Sequence, residues 1–128
     1  MPSKPPMRKT KRVVNEQRGR RAETVAALLL RLEGYRILER RYRSSAGEID
    51  IIAARGRVFT FVEVKARRDH DAARLSVTEH QMRRIIAAAK LWLAQQNFSL
   101  DTPCRFDMIT VSHYLMPRHH LNVFEDAH

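Results

Sequence analysis

Gly47-Glu48-Ile49-Asp50-Ile51-Ile52-Ala53-Ala54-Arg55-Gly56-Arg57-Val58-Phe59-Thr60-Phe61-Val62-Glu63-Val64-Lys65-Ala66 is the stretch on which the fold turns. Two runs rich in Ile, Val and Phe, Glu48 to Ala54 and Arg57 to Ala66, are parted only by Arg55-Gly56. β-Branched and aromatic residues favour extended chain, and so short a joint predicts an antiparallel hairpin. With Arg55-Gly56 as a two-residue turn, Ala54 pairs with Arg57, Asp50 stands opposite Phe61 and Glu48 opposite Glu63. Side chains alternate along a strand, so Glu48, Asp50, Glu63 and Lys65 all project from one face. A four-residue loop keeps this parity, whereas a three-residue loop turns Asp50 to the other face. Val58, Phe59, Phe61, Val62 and Val64, with Ile49, Ile51 and Ile52, put apolar residues on both faces. The sheet is therefore expected to be covered on both sides, with the carboxylates where it opens to solvent.

Three carboxylates against one lysine repel one another unless a cation lies among them. A hard divalent ion such as Mg²⁺ suits a site of one or two carboxylates plus water and phosphate. Such an ion polarises a phosphate oxygen and lowers the pKa of an attacking water, and Lys65 is spaced to orient that water or to offset charge on the phosphate. The plainer reading is a solvated face whose ion pairs contribute ~0–1 kcal/mol each. Glu-x-Lys spacing alone does not separate the two.

Outward from the hairpin, Val25, Ala26, Leu29 and Leu32, widened by Leu28 and Leu30, follow the spacing of a helix with one buried face, and Gly34 ends it. Tyr35 to Arg43 reads as a further strand before the hairpin, set off by Ser44-Ser45-Ala46-Gly47. Residues 67–77 lack a period and are expected to be a loop. Thr78 with Gln81 has the pattern of a capping box ahead of a second helix, whose buried face is Ile85, Ile86, Ala89, Leu91, Trp92 and Leu93. Arg105 to Ser112 and His120 to Glu125 complete the order helix, three strands, helix, two strands.

A chain of 128 residues supports one domain with a hydrophobic core. Its 44% hydrophobic and 30% charged residues suit a folded protein. No apolar run approaches the ~20 residues of a membrane span and no secretory signal is visible, so no membrane association is expected. The single cysteine, Cys104, excludes an internal disulfide, fits a cytoplasmic location, and is expected to be a buried inert thiol. The net charge of +10 points to a polyanion, first of all nucleic acid. Seven of those ten charges fall in residues 1–21, where eight Lys and Arg residues meet Glu16 alone. With Pro2, Pro5 and Pro6, residues 1–14 read as a disordered basic arm able to add phosphate contacts, and residues 15–128 as the single folded domain.

Gly19-x-x-x-Glu23, Gly34-Tyr35-x-Ile37-Leu38, Tyr42-Arg43, Gly47-Glu48-Ile49-Asp50-Ile51-Ile52-Ala53, Phe61-Val62-Glu63-Val64-Lys65-x-Arg67 and Arg105-Phe106-Asp107 occur in this order. In this the chain resembles the YraN family of bacterial proteins, itself similar to archaeal Holliday-junction resolvases, over residues 15–126. The resemblance implies a restriction-endonuclease-like α/β fold of the PD-(D/E)xK type, a mixed central sheet flanked by helices. It implies a Mg²⁺- or Mn²⁺-dependent endonuclease acting on DNA, branched repair intermediates included, and it admits a homodimer. It further implies Asp50, Glu63 and the Val64 carbonyl as metal ligands, Lys65 as the catalytic lysine, and Glu23 as an auxiliary acid from the first helix. Read from its residues alone, Glu23 is a first-turn glutamate favoured by the helix dipole. Ala22 replaces a usual glycine and Gln81 a frequent lysine. Gln81 is accordingly a candidate near the phosphate, or simply a cap of its own helix, and Glu48 is an auxiliary carboxylate. Arg20, Arg21, Arg67 and Arg68 are the candidate nucleic-acid contacts. The competing expectations are a nucleic-acid-binding module without cleavage and an adaptor working through its basic arm.

Other residues are expected to be structural. Arg105 and Asp107 share a strand face and brace the sheet, and Trp92 belongs to the core. His119 and His120, being adjacent, point to opposite faces. Asp69-His70-Asp71 sits in a basic loop and is expected to be solvated.

Overall fold

Small residues decide how the first helix meets the sheet. In the computed structural model, which describes residues 7–123 and the side chains of 19–74 and 76–123, α1 runs over Met7–Leu32. It takes in residues 7–14 of the expected basic arm; residues 1–6 of that arm lie outside the described residues. Its buried side chains are Ala22, Glu23, Ala26, Ala27 and Leu30, while Leu28 and Leu32 are exposed. The buried stripe is therefore rotated from the leucine-rich one expected, because alanines let the helix backbone lie close to the strands. After α1, Gly34 at φ 92° completes a Schellman cap in which the Tyr35 N–H donates to the Leu30 carbonyl and the Gly34 N–H to that of Arg31.

Five strands form one open sheet in the order β1-β2-β3-β4-β5. β1 (Arg36–Arg43), β2 (Glu48–Arg55) and β3 (Val58–Ala66) are an antiparallel meander. β4 (Cys104–Val111) runs parallel to β3, and β5 (Pro117–His120) antiparallel to β4. The sheet is thus mixed and flanked by helices, an arrangement compatible with the restriction-endonuclease-like class. The β3–β4 crossover carries α3 (Glu79–Gln95), with the expected capping box of Thr78 and Gln81. It also carries α2 (His70–Leu75), where a loop was expected. Asp69 caps α2 through the Ala72 N–H, and fully buried Ala73 anchors it; six residues are too few to show a period. β5 precedes the stretch expected, because Leu115, at φ 60°, turns the chain before Pro117.

The hairpin register also differs from that expected. Arg55 pairs with Val58, Ala54 with Phe59 and Ile51 with Val62, so the turn is Gly56-Arg57 and the strands are offset by two residues. Gly56, at φ 64°, occupies the first central position, where a type II′ turn requires positive φ. An offset of two preserves face parity.

Two cores cover the two faces. Against α1 pack Ile51, Ala53, Val62, Ile109 and Val111. Against Ile85, Ala89, Trp92 and Leu93 of α3 pack Tyr42, Ile49, Ile52 and Phe61, with Phe59 and Phe106. Trp92 is a core residue, edge-on to Phe59 and Phe61, and its indole N–H donates to Glu39. No described helix is long and apolar enough to cross a membrane.

Candidate active site

Asp50 is where the β2 alternation breaks. Its neighbours Ile49 and Ile51 pack in opposite cores. Across the ladder, Arg40 pairs with Ile51 and Tyr42 with Ile49, so Arg41 stands opposite Asp50, and Arg41 is left-handed at φ 56°. On the other side the Asp50 carboxylate accepts the Val64 N–H at 2.8 Å. In consequence Asp50 lines two cavities, one on each side of the sheet end.

The α3-side cavity is lined by Glu48, Asp50, Glu63, Lys65, Gln81, Arg84 and Ile85. Continued past Ile51, the hairpin register sets Asp50 opposite Glu63 and Glu48 opposite Lys65. The Asp50 and Glu63 carboxyls line this cavity together, and Lys65 Nζ lies 3.2 Å from Glu63 Oε2. Burial, then the charge and hydrogen bond of Glu63, hold the Asp50 carboxyl well above the usual carboxylate range, against the opposing pull of the Val64 N–H and Lys65. Two carboxyls are thus pressed together with one ammonium beside them, a donor set that fits a small oxygen-seeking dication. Glu48 is exposed at the rim and paired with Arg43 at 3.2 Å. Among the described residues no group of three or more His, Cys, Asp and Glu side chains is gathered for a metal ion.

Gln81 caps its own helix, its side-chain oxygen accepting the Thr78 N–H at 2.9 Å, and it also lines the cavity. Its position depends on Gly47, since a Cβ there would lie 2.7 Å from the Arg84 carbonyl oxygen. Only a residue without a side chain lets α3 approach the β1–β2 turn so closely.

The α1-side cavity, about 360 Å³, is lined by Gly19, Arg20, Glu23, Arg41, Arg43, Asp50 and Val64. Glu23 thus meets Asp50 but does not line the cavity of Glu63 and Lys65. Its carboxylate accepts Arg41 Nε at 3.3 and 3.2 Å and lies 3.3 Å from Arg40 Nε. Arg21, Arg67 and Arg68 are exposed and line neither cavity. Arg40 and Arg41 were not singled out from the sequence, and Arg43 only within the Tyr42-Arg43 motif; their signal was the basic run Arg40-Arg41-Tyr42-Arg43, which an alternating strand would have split between two faces.

Asp107 lies elsewhere, on the α1 face of β4 and fully buried. Arg105 donates to both its oxygens at 2.8 Å, the Asn122 N–H donates at 2.8 Å, and His119 Nε2 is 2.7 Å away. His119 Nδ1 is 2.7 Å from Glu33, and Arg105 also bonds the Tyr35 hydroxyl. This is the bracing role expected of Arg105 and Asp107. His120 faces the opposite way, with its Nε2 3.0 Å from the Thr110 hydroxyl, which His70 also bonds. Asp69 is a helix cap, and Cys104, expected to be buried, is exposed.

A family model described as uncharacterised protein family UPF0102 matches residues 22–111, a span holding both cavities except for Gly19 and Arg20. A UPF0102 protein of Brucella canis is 48% identical over 111 residues, covering 87% of this chain and 88% of the relative. One of Sinorhizobium medicae is 46% identical over 108 residues, covering 84% and 88%. One of Methylocella silvestris is 48% identical over 101 residues, covering 79% and 82%. By the extent and identity of these matches, the chain belongs to the YraN-like family UPF0102.

Proposed function

We propose that the protein is a Mg²⁺- or Mn²⁺-dependent endonuclease that hydrolyses phosphodiester bonds in DNA, branched intermediates included. The observation that carries this reading is that Asp50, Glu63 and Lys65 line one open cavity, with Lys65 Nζ 3.2 Å from Glu63 Oε2. A protein interior does not hold two carboxyls in contact without a compensating partner at low cost, and a dication is the partner that relieves both. Asp50 and Glu63 offer the oxygen ligands, with the Val64 carbonyl as the further ligand implied by the YraN resemblance. A divalent ion held there supplies polarisation of the phosphate and an acidified water. Lys65 brings a positive charge to the phosphate oxygens from the Glu63 side, and Arg84 and the Gln81 amide flank the approach.

The test is a cleavage assay over branched and linear substrates with Mg²⁺ and with Mn²⁺. The folded wild type is expected to cut at least one of them, and Lys65→Ala to lose cleavage by at least about 100-fold, the scale of one transition-state donor, with its melting temperature kept. A wild type that cuts none of the panel, together with Lys65→Ala binding DNA as the wild type does, overturns the proposal in favour of an adaptor or another partner.

A further inference from the structure

The two cavities that share Asp50 differ in sign. On the α3 side, Glu48, Asp50 and Glu63 face only Lys65 and Arg84; on the α1 side, Arg20, Arg41 and Arg43 face Glu23 and Asp50. The first suits a cation, the second an anion. Arginine is the side chain best matched to phosphate, because its planar fork presents several donors at fixed angles.

Arg41 is held in an unusual way. Left-handed backbone is uncommon for a residue with a long side chain, and such conformations collect at functional positions. Glu23, buried in α1, receives Arg41 Nε on both oxygens and lies against Arg40 Nε as well. That contact uses the inner edge of the Arg41 guanidinium. Among the described residues its terminal nitrogens have no hydrogen-bond partner, and the side chain is 41% exposed. A carboxylate compensated by two guanidinium groups is poorly placed to ligate a metal or move a proton, and well placed to fix a guanidinium.

We infer that the α1-side cavity is a phosphate-binding subsite in which Arg41, with Arg20 and Arg43, holds a backbone phosphate next to the one at Asp50 and Glu63, and that Glu23 is its positioning residue. The inference rests on the nucleic-acid reading of the neighbouring cavity. The strand then passes over the end of the sheet, with consecutive phosphates on either side of Asp50. Contacts of this kind fix register without reading sequence.

The test uses Arg41→Asn, since asparagine tolerates the left-handed conformation while removing the guanidinium. Binding of labelled duplex and single-stranded oligonucleotides is followed by fluorescence anisotropy with Ca²⁺ in place of Mg²⁺. Arg41→Asn is expected to weaken binding roughly tenfold, the scale of one charge-assisted contact. It should also flatten the salt dependence by about 0.9 on duplex or 0.7 on single strand, with the variant still folded by circular dichroism. Glu23→Gln is expected to weaken binding in the same direction and, on a cleaved substrate, to raise KM with kcat kept. Inorganic phosphate should compete with the oligonucleotide for the wild type and less effectively for Arg41→Asn. The subsite is overturned by wild-type binding and salt slope in Arg41→Asn, by Glu23→Gln losing kcat with binding intact, or by a polyglutamate competitor that matches the oligonucleotide in affinity. If no substrate is cut yet Arg41→Asn still weakens binding, the nuclease reading falls and the subsite stands.

Discussion

Asp50 and Asp107 are two aspartates on one sheet with opposite fates. Asp107 is fully buried and saturated: two bonds from Arg105, one from the Asn122 N–H and one with His119. Burial alone would raise its pKa, but the bonds from His119, Arg105 and Asn122 outweigh it, and its carboxyl is held below the usual range. Asp50 is pressed by burial and Glu63 in the other direction, with the Val64 N–H and Lys65 opposing. The lesson is that burial of an acid decides little until its partners are counted. Enough donors make a brace; a second acid makes a place where something is still needed.

The comparison can be broken at its stable end first. Asp107→Ala strips a partly buried guanidinium and a buried imidazole of their shared acceptor, and urea denaturation should show a loss of about 3 kcal/mol, the lower end of the cost of orphaning one side of a buried ion pair. A loss below about 1 kcal/mol would show that the network fills space more than it braces.

His119 sharpens the same end through pH. Burial would lower its pKa, but both ring nitrogens face carboxylates and therefore donate, so the imidazolium is favoured and the pKa lies above the ordinary 6.5. A raised pKa contributes stability that is fully present below the unfolded value and lost as pH rises through the folded one. The lowered pKa of Asp107 contributes stability present above the ordinary 3.8 and lost as pH falls through its folded value. The network is thus strongest between 3.8 and 6.5. The stability difference between wild type and His119→Ala should be about 1–3 kcal/mol in that window and shrink above it. A gap that widens from pH 6 to pH 9 would contradict the assignment.

The smallest effect belongs to the other aspartate. Asp50→Asn keeps an acceptor for the Val64 N–H and offers Glu63 a donor in place of a repelling acid. Metal-free Asp50→Asn should therefore be more stable than wild type at neutral pH by about 0.5–2 kcal/mol, as is common when a strained functional group is removed. Calorimetry without divalent ions checks this, and a destabilised variant would mean that the carboxyl pair is not a liability.

Much of this arrangement was legible in the sequence because hairpins advertise themselves. β-Branched and aromatic runs around a short glycine turn placed Glu63 and Lys65 on one face, and the two-residue offset in register came only from Gly56 preferring the first central position of the turn over the second. The buried stripe of α1 was read rotated toward Leu28 and Leu32 because leucines outweigh alanines in any hydrophobic pattern, whereas close packing rewarded Ala22 and Ala27 beside the expected Ala26 and Leu30. α2 was missed because its fixing contact, buried Ala73, is tertiary. Arg40 and Arg41 stayed hidden for a related reason: their pairing with Glu23 depends on a left-handed backbone at Arg41, for which a bare run of arginines gives no signal.

Gly47 bears on the order in which the molecule assembles. The three-stranded meander is built from neighbours in sequence and closes through short turns, the kind of contact that forms early in folding. The α3 helix can seat only against a finished β1–β2 turn, because its Arg84 carbonyl occupies the space a side chain at position 47 would fill. Gln81 and Arg84 therefore reach Asp50 and Glu63 in the last docking step. A partly folded chain would carry the acids without their flanking groups until the packing of the helix is complete.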